Sequence, residues 1–297
     1  MVQAPPKTLL YIGGYGRSGS TLLGRILALN PDVLNLGEVI TAPRFLQRPG
    51  RRCICGETLR DCPVWAPVLR GVVDEPTRFA DRRTHLKLLE RIAETAHKRY
   101  IVDASKTAWL HASHAFYLRR KLSIPLHMLH LVRDPRAVLW SVFRLRDERR
   151  GAPDSALGRA SLAVKVAVSW VFANLAAELF RLRAGRDVTR ALYNDVILKG
   201  LPAPLDEIIP GAPLTGRVLS DEAGSNHAIA GNPMRVIKSA TVALDEEWCE
   251  KLPVAVGCLV SVICFPLLIR YGLPVWRWRG GTALPSHAPG SIGGSDS

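Results

Sequence analysis

The stretch Leu9–Asn30, LLYIGGYGRSGSTLLGRILALN, decides the fold. Its first part, from Thr8 to Gly13, is a short apolar run ending in glycines, the pattern of a buried strand. From Ser20 to Leu29 the period changes: Leu22, Leu23, Ile26 and Leu27 share one face of a helix, and Asn30-Pro31 stops it. Between strand and helix, Gly14 to Thr21 fits G-x-x-x-x-G followed by a Ser/Thr pair. Backbone N–H groups of such a turn converge on an anion, and the first helical turn adds unpaired donors. A nucleotide-hydrolysing loop carries lysine where this chain has Ser20; here Arg17, three residues earlier, supplies the cation.

Further along, strands alternate with helices. A helix over His85–Lys98 leads into the strand YIVDAS, one over Ala108–Arg120 leads into PLHMLHLV, and one over Arg136–Arg146 follows Arg133-Asp134-Pro135. Leu162–Arg183 reads as a long apolar helix, followed by a strand in VTRALYNDV. Such alternation predicts right-handed crossovers and an α/β fold, a mostly parallel central sheet covered on both faces. Ligands gather at the carboxyl ends of such strands, and the glycine loop, Lys106 and Arg133 all stand just past a strand end. With no internal repeat, the expectation is one domain over 1–279, a Pro/Arg/Cys-rich irregular insertion at about 40–76, and a disordered tail over 280–297.

Composition narrows the partners. The chain has 297 residues, 47% of them hydrophobic, enough for a core that needs no disulfide or metal. Its formal charge of +14 points to an anionic partner, and the arginines are spread over many elements rather than along one nucleic-acid stripe. Six thinly spread cysteines, and an N-terminal MVQAPPK that runs into a strand, predict a cytoplasmic, reducing setting without a secretory leader. Leu252–Ile269 is an eighteen-residue segment without a charge, interrupted by Pro253, Gly257 and Pro266. It reads as a docked core helix, with peripheral membrane contact through YGLPVWRWR as the lesser alternative.

Three separated stretches together resemble one family. GRSGST, then VDASK, then LHLVRDPRAVLWS are similar to the sulfotransferases that use 3′-phosphoadenosine-5′-phosphosulfate, above all the bacterial members. LGEV, the CxCG...CPxW run at Cys53–Trp65, NHAIAGNPMR and LDEEW...PLLIRYG extend the likeness to roughly Thr8–Gly272. The resemblance implies a P-loop-containing three-layer sandwich and no metal. It puts Gly16, Arg17, Ser18, Gly19, Ser20 and Thr21 on the 5′-phosphosulfate, and Arg133 and Ser141 on the 3′-phosphate.

Sulfuryl transfer needs an in-line acceptor, donors on the sulfuryl and leaving-phosphate oxygens, and a base. Glu38 in NLGEVI is the expected base, Lys106 the group expected on the bridging oxygen, and Arg17 a further catalytic cation. His227 is read as a contact to acceptor or nucleotide, or as a tie for its loop. Asn194 stands where many relatives carry glutamate and is not placed in the site. Cys53, Cys55 and Cys62 lack the usual C-x₂₋₄-C spacing and an evident fourth ligand, so a loop held by Trp65 packing or by a disulfide is preferred over a metal.

The acceptor is expected to be a hydroxyl on a carbohydrate, a lipid or another small molecule. No nucleic-acid partner is expected. Two other readings, a Mg²⁺-dependent P-loop kinase or nucleoside triphosphatase and a basic binder of nucleic acid or anionic membrane, make different demands. The first is opposed by the missing lysine. The second requires a continuous basic stripe.

Overall fold

The computed structural model describes residues 7–45, 50, 52–70, 79–107, 111–150, 155–210, 213–219, 224–231 and 240–276. The expected tail over 280–297 and the NPMR part of the 225–235 loop lie outside them.

Strand β1 (Thr8–Gly13) enters the glycine loop, and α1 (Ser20–Leu27) leaves it, with Leu22, Leu23, Ile26 and Leu27 buried as their spacing requires. A short β2 (Val33–Asn35) follows, then α2 (Ala42–Phe45) and α3 (Trp65–Leu69) inside the expected irregular insertion. Helix α4 (Arg82–Thr95) begins three residues before the expected start, because Asp81 caps it by accepting from the N–H groups of Arg83 and Thr84. Next come β3 (Tyr100–Asp103), α5 (Ala112–Lys121) and β4 (Leu126–Val132).

Helix α6 (Pro135–Arg150) and the 29-residue α7 (Ala156–Ala184) are both longer than their apolar patterns suggest. Ser155 caps α7 through the Gly158 N–H. The expected strand over VTRALYNDV is split: β5 (Val188–Leu192) ends where Tyr193 starts α8 (Tyr193–Lys199). The chain closes with β6 (Val218–Leu219), β7 (Ala240–Thr241), α9 (Trp248–Lys251) and α10 (Val254–Arg270).

Strands β1 to β5 form an all-parallel sheet in the order β2-β3-β1-β4-β5. Pleating divides each strand between two faces. On β1, Leu9 and Tyr11 join a core with α4, α5 and α7, whereas Leu10 and Ile12 join a second core with α1 and α8. The result is helix, sheet, helix: a three-layer α/β sandwich. A third apolar cluster joins α6 to α7, α9 and α10.

That cluster settles how Leu252–Ile269 sits. Val260, Ser261, Cys264, Leu267 and Leu268 of α10 are buried against neighbouring helices, while Val254, Val262, Phe265 and Ile269 are exposed. The segment is a docked helix with an apolar outer side. Among the described residues, α7 alone has the length and hydropathy to cross a membrane. It contacts β1, β4 and β5 and forms part of the core.

Candidate active site

One cavity of about 500 Å³ opens at the carboxyl ends of β1, β3 and β4. Its size suits a nucleotide-sized ligand (about 300–1,000 Å³). Gly16, Arg17, Gly19, Ser20 and Thr21 line it from the glycine loop, Glu38 and Lys106 from the ends of β2 and β3, and Arg133 and Ser141 from α6 and the turn before it. Ser18 is buried behind the loop, its Oγ without a hydrogen-bond partner among the described residues.

The loop is built to stay open toward the cavity. Gly14 N–H donates to Thr107 Oγ1 at 2.9 Å, and Thr107 donates on to the Ala173 carbonyl of α7 at 2.9 Å. The β1 and β3 loops are thereby locked together. Gly19 occupies the cap of α1 at φ 96°, where a Cβ would lie 2.5 Å from the Tyr193 ring. Having no side chain, Gly19 cannot place an oxygen over the first-turn amides as Ser or Asp would.

Two non-glycine residues among those described have positive φ: Arg17 at 66° and Lys106 at 69°. Both carry a cation into the cavity. A left-handed conformation costs a side-chain-bearing residue about 1–3 kcal/mol and persists only where surrounding contacts impose it. For Lys106 one such contact is the Tyr11 hydroxyl, which donates to its carbonyl at 2.5 Å.

Arg17 reaches across the cavity to α6. Its Nε donates to Ser141 Oγ at 3.0 Å and its terminal nitrogen to the Ser141 carbonyl at 3.4 Å. Arg133 in turn donates to the Arg17 carbonyl at 3.4 Å, pairs with Asp245 at 3.2 Å, and lies over the Tyr193 ring with its Cζ 4.5 Å from the centroid. The loop and the α6 cluster therefore meet in one continuous site rather than facing each other across a gap. Burial, and then the neighbouring cations of Arg144 and Arg133, lower the pKa of Arg17 below the usual guanidinium range. Among the described residues, five cations (Arg17, Lys106, Arg133, Arg144 and Arg149) line the cavity against two carboxylates, Glu38 and Asp245. A multiply charged anion would balance the surplus.

Glu38 and Lys106 form an ion pair on the cavity wall. A single buried carboxylate holds both of their loops. Asp103 accepts from Val39 N–H at 3.2 Å, Ser105 N–H at 3.0 Å and Ser105 Oγ at 2.5 Å, and sits 2.8 Å from His85 Nε2. Asp103 is thus a loop cap with both oxygens engaged.

Sequence reasoning missed Tyr193, Arg144, Arg149 and Asp245 on the wall. The two α6 arginines are legible in principle, since 141, 144, 145 and 149 follow helical spacing from Ser141. Asp245 and Tyr193 carry no local signal. His227 does not line this cavity among the described residues. Its Nδ1 lies 3.6 Å from Cys53 Sγ and 3.3 Å from Cys62 Sγ, and its N–H donates to the Asn35 carbonyl at 2.7 Å, the geometry of the loop tie that was one of its two expected roles. Of the two preferred readings of the cysteine loop, packing of Trp65 holds, its ring fully buried and its Nε1 donating to the His227 carbonyl at 2.7 Å, whereas no disulfide is formed: all six cysteines are free, and Cys55 and Cys62 are 3.8 Å apart at sulfur.

No family model matches the sequence, and no curated protein does. Among solved structures, the sulfotransferase domain from the Synechococcus PCC 7002 olefin synthase aligns over 92% of this chain and 98% of its own, with a TM-score of 0.52 and 17% identity. The chain has the sulfotransferase fold. The sulfotransferase domain from the curacin biosynthetic pathway (19% identity, 91% and 99% covered) and the sulfotransferase from Alicyclobacillus acidocaldarius (12%, 91% and 97%) align at TM-scores of 0.43 and 0.42, below the level at which a shared fold follows.

Proposed function

We propose that this protein is a sulfotransferase that moves a sulfuryl group from 3′-phosphoadenosine-5′-phosphosulfate to a hydroxyl of a carbohydrate, glycolipid or other small acceptor. The observation that carries the reading is the convergence of the glycine loop, Arg133 with Ser141, and the Glu38–Lys106 pair on one cation-rich cavity. In this reading the loop amides, Ser20 and Thr21 take the 5′-phosphosulfate, and Arg133 and Ser141 take the 3′-phosphate. The donor's phosphates would compete for the guanidinium that Arg17 now directs at Ser141.

The reaction is a single in-line displacement. The acceptor oxygen bonds to sulfur as the bond from sulfur to the bridging oxygen breaks, and that oxygen leaves on 3′-phosphoadenosine-5′-phosphate with the electron pair. Glu38 takes the acceptor proton. Lys106 and Arg17 balance charge on the departing oxygen and the sulfuryl oxygens, where fixed cations in a partly dry site act most strongly. The pairing of Glu38 with Lys106 holds base and cation side by side before the donor arrives.

The exposed Trp276 of YGLPVWRWR supports the further proposal of peripheral contact with a lipid surface through the C-terminal region, in a cytoplasmic protein.

Transfer of label from sulfur-labelled donor to a panel of sugars, glycolipids and phenols tests the activity, and absence of donor binding by calorimetry overturns it. Glu38→Gln is expected to keep donor affinity within about twofold while turnover falls roughly 10²–10⁴-fold. Unchanged turnover would assign the base elsewhere.

A further inference from the structure

We propose a second site, unrelated to the cavity: a Zn²⁺ centre held by Cys53, Cys55, Cys62 and His227. The sulfur atoms of the three cysteines and a ring nitrogen of the histidine all lie within 4.8 Å of one another. A tetrahedral Zn²⁺ with Zn–S of about 2.3 Å and Zn–N of about 2.0–2.1 Å sets sulfur–sulfur separations at about 3.8 Å and sulfur–nitrogen separations at about 3.6 Å. The observed values are 3.8 Å for Cys55–Cys62, 3.6 Å for Cys53–His227 and 3.3 Å for Cys62–His227.

A disulfide does not account for these separations, and thiol hydrogen bonding does so less fully than a shared cation. A disulfide needs sulfur atoms about 2.05 Å apart. Thiol hydrogen bonding would leave Cys53 and Cys62 competing for one Nδ1, because an imidazole nitrogen has one in-plane lone pair or one proton, not two. A cation between the four atoms satisfies all of them at once. Three soft sulfurs and one imidazole in a tetrahedral set select zinc over hard cations.

The surrounding backbone fixes each ligand. A tight hairpin carries the first two: Cys53 N–H donates to the Glu57 carbonyl at 2.9 Å, Gly56 N–H to the Cys53 carbonyl at 3.1 Å, and Arg52 bridges Thr58 across the turn. Gly56 makes the hairpin possible with φ 96°. Cys62 is set by its N–H on the Thr58 carbonyl at 2.8 Å. His227 is held from both sides, its N–H donating to the Asn35 carbonyl at 2.7 Å and its own carbonyl accepting from Trp65 Nε1 at 2.7 Å. Cys53, Cys62 and His227 are buried and Cys55 is exposed, so the centre is closed on the protein side and reachable from solvent on one.

The centre would bind the cysteine-rich insertion to a segment 165 residues further along the chain. That segment runs beside β2 and continues to Ala230 and Gly231, next to Gly37 and Thr21. The inference goes beyond sulfuryl transfer and stands whether or not that reading does.

Metal analysis of the full-length protein, purified without added metal or chelator, is expected to give about one zinc per chain. Protein stripped of metal and titrated with Co²⁺ should develop the visible bands of tetrahedral cobalt and a near-ultraviolet sulfur-to-metal charge-transfer band. Cys55→Ser, at the exposed ligand, should keep the fold by circular dichroism, bind Co²⁺ roughly tenfold or more weakly, and lose part of the charge-transfer intensity. Background zinc with no cobalt bands overturns the proposal. So does a Co²⁺ spectrum unchanged by Cys55→Ser, or a disulfide among these three cysteines found by mass spectrometry of anaerobically purified protein.

Discussion

Two regions at the start of α6 are each organised around an arginine, one at the cavity wall and one in the joint behind it. Arg136 is fully buried and saturated. It donates twice to Asp134, at 3.0 and 2.7 Å, and to the carbonyls of Pro274 at 2.5 Å and Val275 at 2.8 Å, with its Cζ 4.8 Å from the Trp248 ring centroid. Among the described residues, the Arg133 guanidinium, three residues earlier, makes its polar contacts at 3.2–3.4 Å and faces the cavity. A guanidinium whose donors are consumed by the protein fastens structure. One whose donors are stretched beside other cations has hydrogen-bonding capacity left for an anion.

The largest test of this contrast is Arg136→Ala. It removes the cation from the largely buried Asp134 carboxylate, which keeps only the backbone N–H of residue 136, and releases the Pro274 and Val275 carbonyls; it should cost about 3–5 kcal/mol in urea unfolding. Arg133→Ala should reverse the pattern. Asp245 keeps Arg144 as a partner, so stability should change by about 1 kcal/mol or less. Affinity for 3′-phosphoadenosine-5′-phosphate should meanwhile fall by about 1.5–3 kcal/mol in calorimetry, far more than for the analogue lacking the 3′-phosphate. Equal losses for the two ligands would break the comparison.

Acid separates closed from open regions as well. Burial pushes His130 down to about 4, and burial followed by the neighbouring His85 and His111 pushes His114 down to about 4. In the unfolded chain an imidazole titrates near 6.5, so between these values the unfolded state takes up protons that the folded state refuses. Stability should be full above about pH 6.5 and decline as pH falls toward 4, by on the order of 2 kcal/mol per histidine. Urea midpoints measured across that range check the sign, and a midpoint rising with acid would contradict it. The smallest effect is expected from Ser141→Ala. Losing one neutral hydroxyl should weaken product binding by about 0.5–1.5 kcal/mol and leave the unfolding midpoint nearly unchanged.

What can be read from the chain follows from how local each signal is. The glycine loop, β1, α1 and the Arg133–Ser141 spacing are written in contiguous residues, and the structure brings them to one cavity. Helix starts escape the apolar period where a polar cap, Asp81 or Ser155, lies outside it. Tyr193 reads as part of a strand because VTRALY is apolar and β-prone up to the residue where α8 begins. Asp245 on Arg133 and His227 on Cys62 depend on distant segments meeting, which no spacing within a motif encodes. The backbone strain at Arg17 and Lys106 is equally invisible, since it is imposed by neighbours and not by residue type.

The parallel bridge between Asn35 and Asn226 sets an order of events for a chain emerging from the ribosome. β1, β3 and β4 are all present once residue 132 has been made, so the half that carries the glycine loop can assemble early. The outer border of the sheet waits for a partner 191 positions later, the slowest kind of closure to search for. A nascent chain halted near its midpoint would thus hold the glycine loop and its sheet, and lack the segment that borders β2.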